Sequence, residues 1–323
     1  MTDLIQKSWT VMQEFLPRAA VSLYNVETIG SGNGSTKRID EFDGETFADY
    51  KPEGGNSLKA SVGVGYSKTM TARTFSKEID ITLEMRNDNK YNVVGQMIRD
   101  LTAFCANRKD LDLTHRLTFA SSTSYTDMNG ESVDVTMGDT TALCATSHSL
   151  AFSSTTYSNR LTGDPAFSQG GYEAALLIAN SQTYNNFGHQ RNLNFNTVAT
   201  WRDPGTMRTV RQLFNSEADI DGAQSGLLNV YKSGNRHVVL PYLASTATGA
   251  YDSTKRRWWF LIAPGMNGWQ AYCGEWISPT LKTPSAGNNG EDIHSYNWTY
   301  SAYCRYGVVV VSAKGLIGSL PTS

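Results

Sequence analysis

A nucleophile type stands beside a base type at Ser147-His148-Ser149. A catalytic Ser–His pair is a spatial arrangement oriented by a third group, and the Gly-x-Ser-x-Gly elbow that presents such a serine is absent here. His148 is therefore expected to be hydrogen-bonded within the fold. The run Gly30-Ser31-Gly32-Asn33-Gly34 is the nearest approach to a phosphate loop. It lacks a following Gly-Lys-Ser/Thr and a helix, both of which a phosphate cradle requires, so it reads as a flexible hinge. Asp110-x-Asp112 and the acids Asp40, Glu41, Asp43, Glu45, Asp49 and Glu53 could attract a cation. The alternating oxygens, central glycine and closing glutamate of a calcium loop are missing, which leaves a solvated or partner-facing acidic run. Lys255-Arg256-Arg257-Trp258-Trp259 joins base to aromatic and could stack single-stranded nucleic acid. The stronger expectation is a strand entry, with charges in a turn and the tryptophans facing core and interface. Cys105, Cys144, Cys273 and Cys304 are far apart without Cys-x-x-Cys spacing, as buried apolar side chains or free thiols would be. No catalytic, cofactor or metal site is assembled from these residues.

Composition narrows the classes further. Across 323 residues, 28 Lys and Arg nearly balance 30 Asp and Glu, whereas a protein devoted to gripping nucleic acid usually carries a basic excess. No run approaches the roughly 18 apolar residues of a membrane span, and the N-terminus lacks the basic-then-apolar plan of a signal peptide. The chain is expected to be made in the cytoplasm.

The elements that would position these residues are of several kinds. Ile5, Trp9, Met12 and Leu16 form an apolar helical stripe over 3–16, with Thr2 or Asp3 as cap and Pro17 as stop. Its six or seven apolar side chains contribute at most roughly 10–20 kcal/mol. Ordering the segment at about 1–2 kcal/mol per residue cancels that gain. Such an arm is expected to be loose in the free subunit and fixed only when docked. From Lys37 to Phe47 and from Leu58 to Met85 the chain is strand-like around the turn-rich tip Lys51-Pro52-Glu53-Gly54-Gly55-Asn56. An isolated hairpin is marginal in water, so this excursion should lie against something outside its own domain. Tyr91, Val94, Ile98, Leu101 and Cys105 then predict a long helix over 88–107, capped by Asn87 or Asp88 and closed by Arg108-Lys109.

A Ser- and Thr-rich β stretch is expected over 116–160, followed by a short helix from Tyr172 and a strand over Leu193–Trp201. Asp203-Pro204 should cap a helix carrying Met207, Val210 and Phe214. Strands are expected at Arg236–Leu240, Trp258–Ile262, Ala271–Glu275 and Val308–Val311. The class is α+β with segregated elements.

This order of parts resembles the major capsid proteins of tailed bacteriophages, which share the Hong Kong 97 capsid fold. The stripe at 3–16 looks like the family's N-arm, the excursion at about 34–84 like its E-loop, and the helix 88–107 like the spine of its P-domain. Leu143-Cys144-Ala145-Thr146-Ser147-His148-Ser149-Leu150 is similar to a Ser-His-Ser-Leu stretch that follows the spine. Asn194–Val198 with the Asp203-Pro204 helix resembles the entry to the A-domain, and Trp258–Ile262 and Ala302–Gly307 resemble two late strands.

The resemblance implies an arm at 1–33, an E-loop at 34–84, a P-domain at 85–200 and 274–304, and an A-domain at 201–273 and 305–323. It implies a non-enzymatic shell subunit forming hexamers and pentamers of an icosahedral virion capsid around double-stranded DNA, assembled in the host cytoplasm. Because the chain starts at the arm, a separate scaffolding protein is expected, with portal and possibly decoration proteins as further partners and no membrane. Interface candidates are Ile5, Trp9 and Met12 in the arm and Asp49, Tyr50 and Lys51 in the E-loop. Crosslinking through Lys51 or Lys59 is not expected. The alternatives are an encapsulin-like compartment and, less favoured, a carbohydrate-binding or tail β-protein, which has no place for the long helix; a hydrolase comes third.

Overall fold

The computed structural model describes residues 19–30, 32–218, 228–265, 268–283 and 296–322. The described residues begin with a 3-10 turn at Ala20–Leu23 and strand β1 (Asn25–Thr28). Strands β2 (Thr36–Gly44) and β3 (Val62–Thr71) form the long hairpin. After Ala72 the chain continues as β4 (Arg73–Ile81), so one extended run serves both the hairpin and a larger sheet. The expected strand to Met85 instead ends in a short helix, α1 (Leu83–Asn87), whose first turn is capped by Thr82 Oγ1 accepting from Met85 N at 3.2 Å.

Helix α2 (Tyr91–Thr118) is the spine. It begins later than expected because Asn89 takes a left-handed conformation, φ 54°, which separates it from α1. It also runs eleven residues beyond 107, and the reason lies in packing. Arg108 and Lys109 do not close it; Arg108 pairs with Asp112 at 3.1 Å and with Asp127 at 3.0 Å, and Lys109 pairs with Glu275. With those charges satisfied sideways, Leu113 and Leu117 continue the buried stripe.

Downstream, β5 (Ser124–Thr126) pairs with β6 (Ser132–Asp134), and β7 (His148–Ser149) with β8 (Thr156–Tyr157). The expected β-rich stretch over 116–160 is thus mostly loop. Its side-chain oxygens hold turns instead of facing a ladder: Asp127 Oδ1 accepts from Asn129 N and Glu131 N, and Asp139 Oδ1 from Thr141 N. Helix α3 (Gln169–Ser181) starts at Ser168, whose Oγ accepts from Gly171 N. Of the predicted 193–201 strand only β9 (Thr197–Thr200) pairs. Helix α4 (Pro204–Asn215) is capped by Asp203, as the Asp-Pro pair predicted. Strands β10 (Arg236–Val239), β11 (Trp259–Ile262), β12 (Gln270–Lys282), β13 (Trp298–Ser312) and β14 (Leu316–Ser319) complete the chain.

Two four-stranded sheets result, in the orders β1-β12-β13-β4 and β10-β9-β11-β14. In β13 the period-2 set Trp298, Tyr300, Ala302, Cys304 and Tyr306 faces Val94, Ile98, Leu101 and Cys105 of the spine. The second sheet is covered on both sides. Trp259 and Leu261 face α3 and α4, while Phe260 and Ile262 pack with Leu113 and Leu117 at the far end of the spine. The spine's length is therefore set by two cores that it must bridge.

His115 lies in that far end, fully buried, with Nε2 3.2 Å from Ser245 Oγ. Burial, with the charges of Lys255, Arg108 and Arg116 nearby, pushes its imidazole down to about 3. The unfolded chain takes up this proton near pH 6.5, and the folded chain does not until much lower. Stability is therefore expected to fall as pH drops from about 6.5 toward about 3. His115→Gln should flatten that limb of a plot of urea midpoint against pH; an unchanged slope would show that other groups set it.

Candidate assembly interface

The interface candidates Ile5, Trp9 and Met12 lie outside the described residues. Asp49, Tyr50 and Lys51 fall in the connection between β2 and β3, where every described side chain from 45 to 62 but Gly55 is exposed. Tyr50 is 87% exposed.

The root of the hairpin is very different. Glu41 and Asp43 of β2 point inward and are buried, with Lys314 beside them. Lys314 Nζ lies 2.8 Å from Glu41 Oε1, 3.4 Å from Asp43 Oδ2 and 2.8 Å from Asn186 Oδ1. Arg191 reaches Asp43 Oδ1 at 3.2 Å, and Asn186 N donates to Asp43 Oδ2 at 2.9 Å. Two cations thus face two carboxylates, so the formal charges of the cluster balance. Gly65 of β3 allows this approach, since a Cβ there would stand 2.3 Å from Asn186 Nδ2.

Hence the expected solvated or partner-facing acidic run is corrected at 41 and 43. Its innermost acids belong to an internal ion cluster, because a buried lysine needs a compensating charge. The hairpin does lie against something outside itself, but at its root that something is this same chain. Asn185 Nδ2 donates to Gly44 O at 3.0 Å, and Tyr66 OH meets Ser149 Oγ at 2.9 Å. Sequence reasoning missed Lys314, Asn186 and Arg191. A usable signal existed: Lys314 is the one charged residue in the largely apolar run from Val308 to Ile317.

With charge turned inward, β2 turns its aromatic outward. Phe42 is 69% exposed and sits across the ladder from exposed Val64. Phe47, Leu58 and Val62 extend the apolar surface toward the tip.

The chemistry candidates resolve into structural roles. His148 is fully buried, with Nδ1 2.7 Å from Asp139 Oδ2 and Nε2 3.1 Å from Asn159 Oδ1. Both ring nitrogens are occupied and neither meets a serine. Burial would raise the Asp139 carboxyl, but hydrogen bonds from His148 and Thr141 outweigh it and hold the group below the usual carboxylate range. Lys255 stands over the Phe119 ring at 4.4 Å and pairs with Asp252 at 3.2 Å, while Trp259 is buried in the core, as the strand-entry reading expected. Gly30, Gly32 and Gly34 all take positive φ in the turn into the hairpin, and Trp276 Nε1 donates to Gly34 O at 2.8 Å. The four cysteines are buried free thiols. Among the described residues there is no group of metal-ligating side chains, and no helix is long and apolar enough to cross a membrane.

The profile of the phage capsid protein family matches residues 65–318, from the middle of β3 to β14. The chain belongs to that family. Solved structures share its fold at low sequence identity. The capsid of Ralstonia phage GP4 is 10% identical with a TM-score of 0.54, covering 93% of this chain and 88% of that one. The capsid structure of cyanophage P-SCSP1u is 14% identical with a TM-score of 0.52, over 93% and 87%. Microbacterium phage Oxtober96 gives 10% identity and a TM-score of 0.52, over 95% and 91%. No curated protein matches the chain. The resemblance to tailed-phage major capsid proteins and the α+β Hong Kong 97 capsid fold are borne out. This capsid protein is a structural shell subunit of the virion that assembles with copies of itself.

Proposed function

We propose that this capsid protein forms hexamers and pentamers of an icosahedral shell around double-stranded DNA, assembled in the host cytoplasm with separate scaffolding and portal proteins. The observation that carries this reading is the inverted β2 strand. Carboxylates 41 and 43 are locked inside while Phe42, Phe47 and Tyr50 stand exposed along the arm. An arm with a charged root and an apolar flank suits a fixed lever that places its surface on a neighbour.

The division into an arm (1–33), E-loop (34–84), P-domain (85–200, 274–304) and A-domain (201–273, 305–323) fits this role. Each subunit would make several interfaces of about 1,000–2,000 Å². Individually weak contacts allow misplaced subunits to leave, and a closed shell is held by their sum. Ile5, Trp9 and Met12 dock the N-terminal arm, and Asp49, Tyr50 and Lys51 make the E-loop contacts; decoration proteins could add to the outer surface. Trp9→Ala is expected to reduce particle yield at least tenfold while the subunit stays soluble, counted by electron microscopy of gradient fractions. Normal yield would remove the arm from the assembly mechanism. Hollow shells filled with protein instead of nucleic acid would favour an encapsulin-like compartment.

A further inference from the structure

The near-neutral net charge conceals an asymmetry. Segments 201–273 and 305–323 together hold ten Lys and Arg against five Asp and Glu, whereas the rest of the chain holds 18 against 25. Of those five acids, Asp203 caps α4, Glu217 pairs with Lys232 at 2.8 Å, and Asp252 pairs with Lys255. Asp219 and Asp221 lie outside the described residues. Of the ten cations, Lys314 is compensated by Glu41 and Asp43 in the buried cluster, whereas Arg202, Arg208 and Arg211 lie on or just before α4.

Helix α4 buries Thr206, Val210, Leu213 and Phe214 and turns Arg208 and Arg211 outward. Arg202 stands exposed just before its first turn, and the three arginines line one shallow groove with Pro204, Met207 and Gln212. None of the three has an ion-pair partner among the described residues. Burial, and next the Arg211 charge, hold the His237 imidazole below its ordinary value.

We propose that this arginine face, Arg202 with Arg208 and Arg211, binds the phosphate backbone of the enclosed duplex DNA, which rests on the reading of the protein as the wall of a DNA-filled shell. Guanidinium forks match phosphate oxygens in a two-bond geometry. Positions 208 and 211 are neighbours on the helix surface, about 5–6 Å apart at Cβ, so they can engage one strand together. Carboxylates of a second copy, such as exposed Glu78, Glu84 and Asp88, are the competing occupant. Duplex DNA suits three arginines on one face better, because its phosphate charges recur at a short regular spacing along the strand. Such contacts would be independent of base sequence.

The test is fluorescence anisotropy of a labelled mixed-sequence 30-base-pair duplex with the full-length protein across a KCl series. Wild type should bind with a steep salt dependence. The triple variant Arg202→Gln/Arg208→Gln/Arg211→Gln should bind at least tenfold more weakly, and its slope of log K against log salt should be shallower by about 2–3, since each phosphate contributes about 0.9. Lys77→Gln/Arg99→Gln, which removes two exposed charges elsewhere, should keep the wild-type slope. Equal slopes for wild type and triple variant would overturn the proposal. So would a triple variant that binds duplex normally but forms no shells, because the arginines would then contact other copies. Shell formation by wild type, seen by electron microscopy, reads the shell assignment separately from the duplex result.

Discussion

Replacing Lys314 by methionine is expected to destabilise the subunit by about 3–5 kcal/mol, the usual cost of leaving a buried charge without its partner. Lys314 Nζ is the common neighbour of Glu41, Asp43 and Asn186, all of them buried. Without it, Asp43 keeps Arg191, but Glu41 loses its ion-pair partner. The two carboxylates would then repel inside a water-poor site. The hairpin root should open before the rest of the fold, because β2 attaches to the body through this cluster and through Asn185 and Asn186. Urea denaturation should show a lower midpoint, and limited proteolysis should cut first within 36–71. The double variant Lys314→Met/Glu41→Leu should recover part of the loss, since removing both charges leaves no orphan. A single variant within about 0.5 kcal/mol of wild type would show that the cluster is hydrated.

Trp259→Ala should cost a similar amount, about 3–5 kcal/mol, by the transfer and cavity terms of a large core truncation. Trp259 is fully buried, meets Phe167 edge-on at 5.1 Å between ring centres, and donates from Nε1 to Pro165 O at 3.0 Å. Its neighbour Trp258 is only half-buried and packs toward the other core, so Trp258→Ala should cost clearly less. Trp259→Phe should fall between them, because the ring volume is mostly kept and Pro165 O still accepts from Ser319 Oγ at 2.7 Å. Thermal melts of the three variants check the order. Equal losses at 258 and 259 would contradict the placement of the two rings on opposite faces of the sheet.

Much of this architecture is legible in the sequence because its signals are local. The Asp203-Pro204 pair specifies a helix start through one side-chain cap and one fixed φ, and α4 begins there. Alternation in Trp298, Tyr300, Ala302, Cys304 and Tyr306 marks a strand with one buried face, although only its later part was expected as a strand. The helical stripe from Val94 to Cys105 likewise names the spine and its packed face. Errors arose where a local signal was met by a distant partner. Arg108-Lys109 resembles a helix stop until Asp112, Asp127 and Glu275 are seen to neutralise the pair, which lets the helix reach Leu117. The Ser- and Thr-rich 116–160 stretch has the composition of strands, yet its hydroxyls and carboxylates bond to nearby backbone and hold loops.

The sequence by itself determined the element types, the apolar faces and the kinship of the chain with phage shell subunits, because periodicity and caps act within a few residues. Only the tertiary structure decided which acids of the hairpin are internal. Glu41 and Lys314 are 273 positions apart, and no local pattern can report a charge pair closed over that span. The same pairing turns Phe42 outward, where it is 69% exposed. Burial of one charged pair across the fold, and not the composition of the hairpin, fixes the direction in which the arm presents its apolar side.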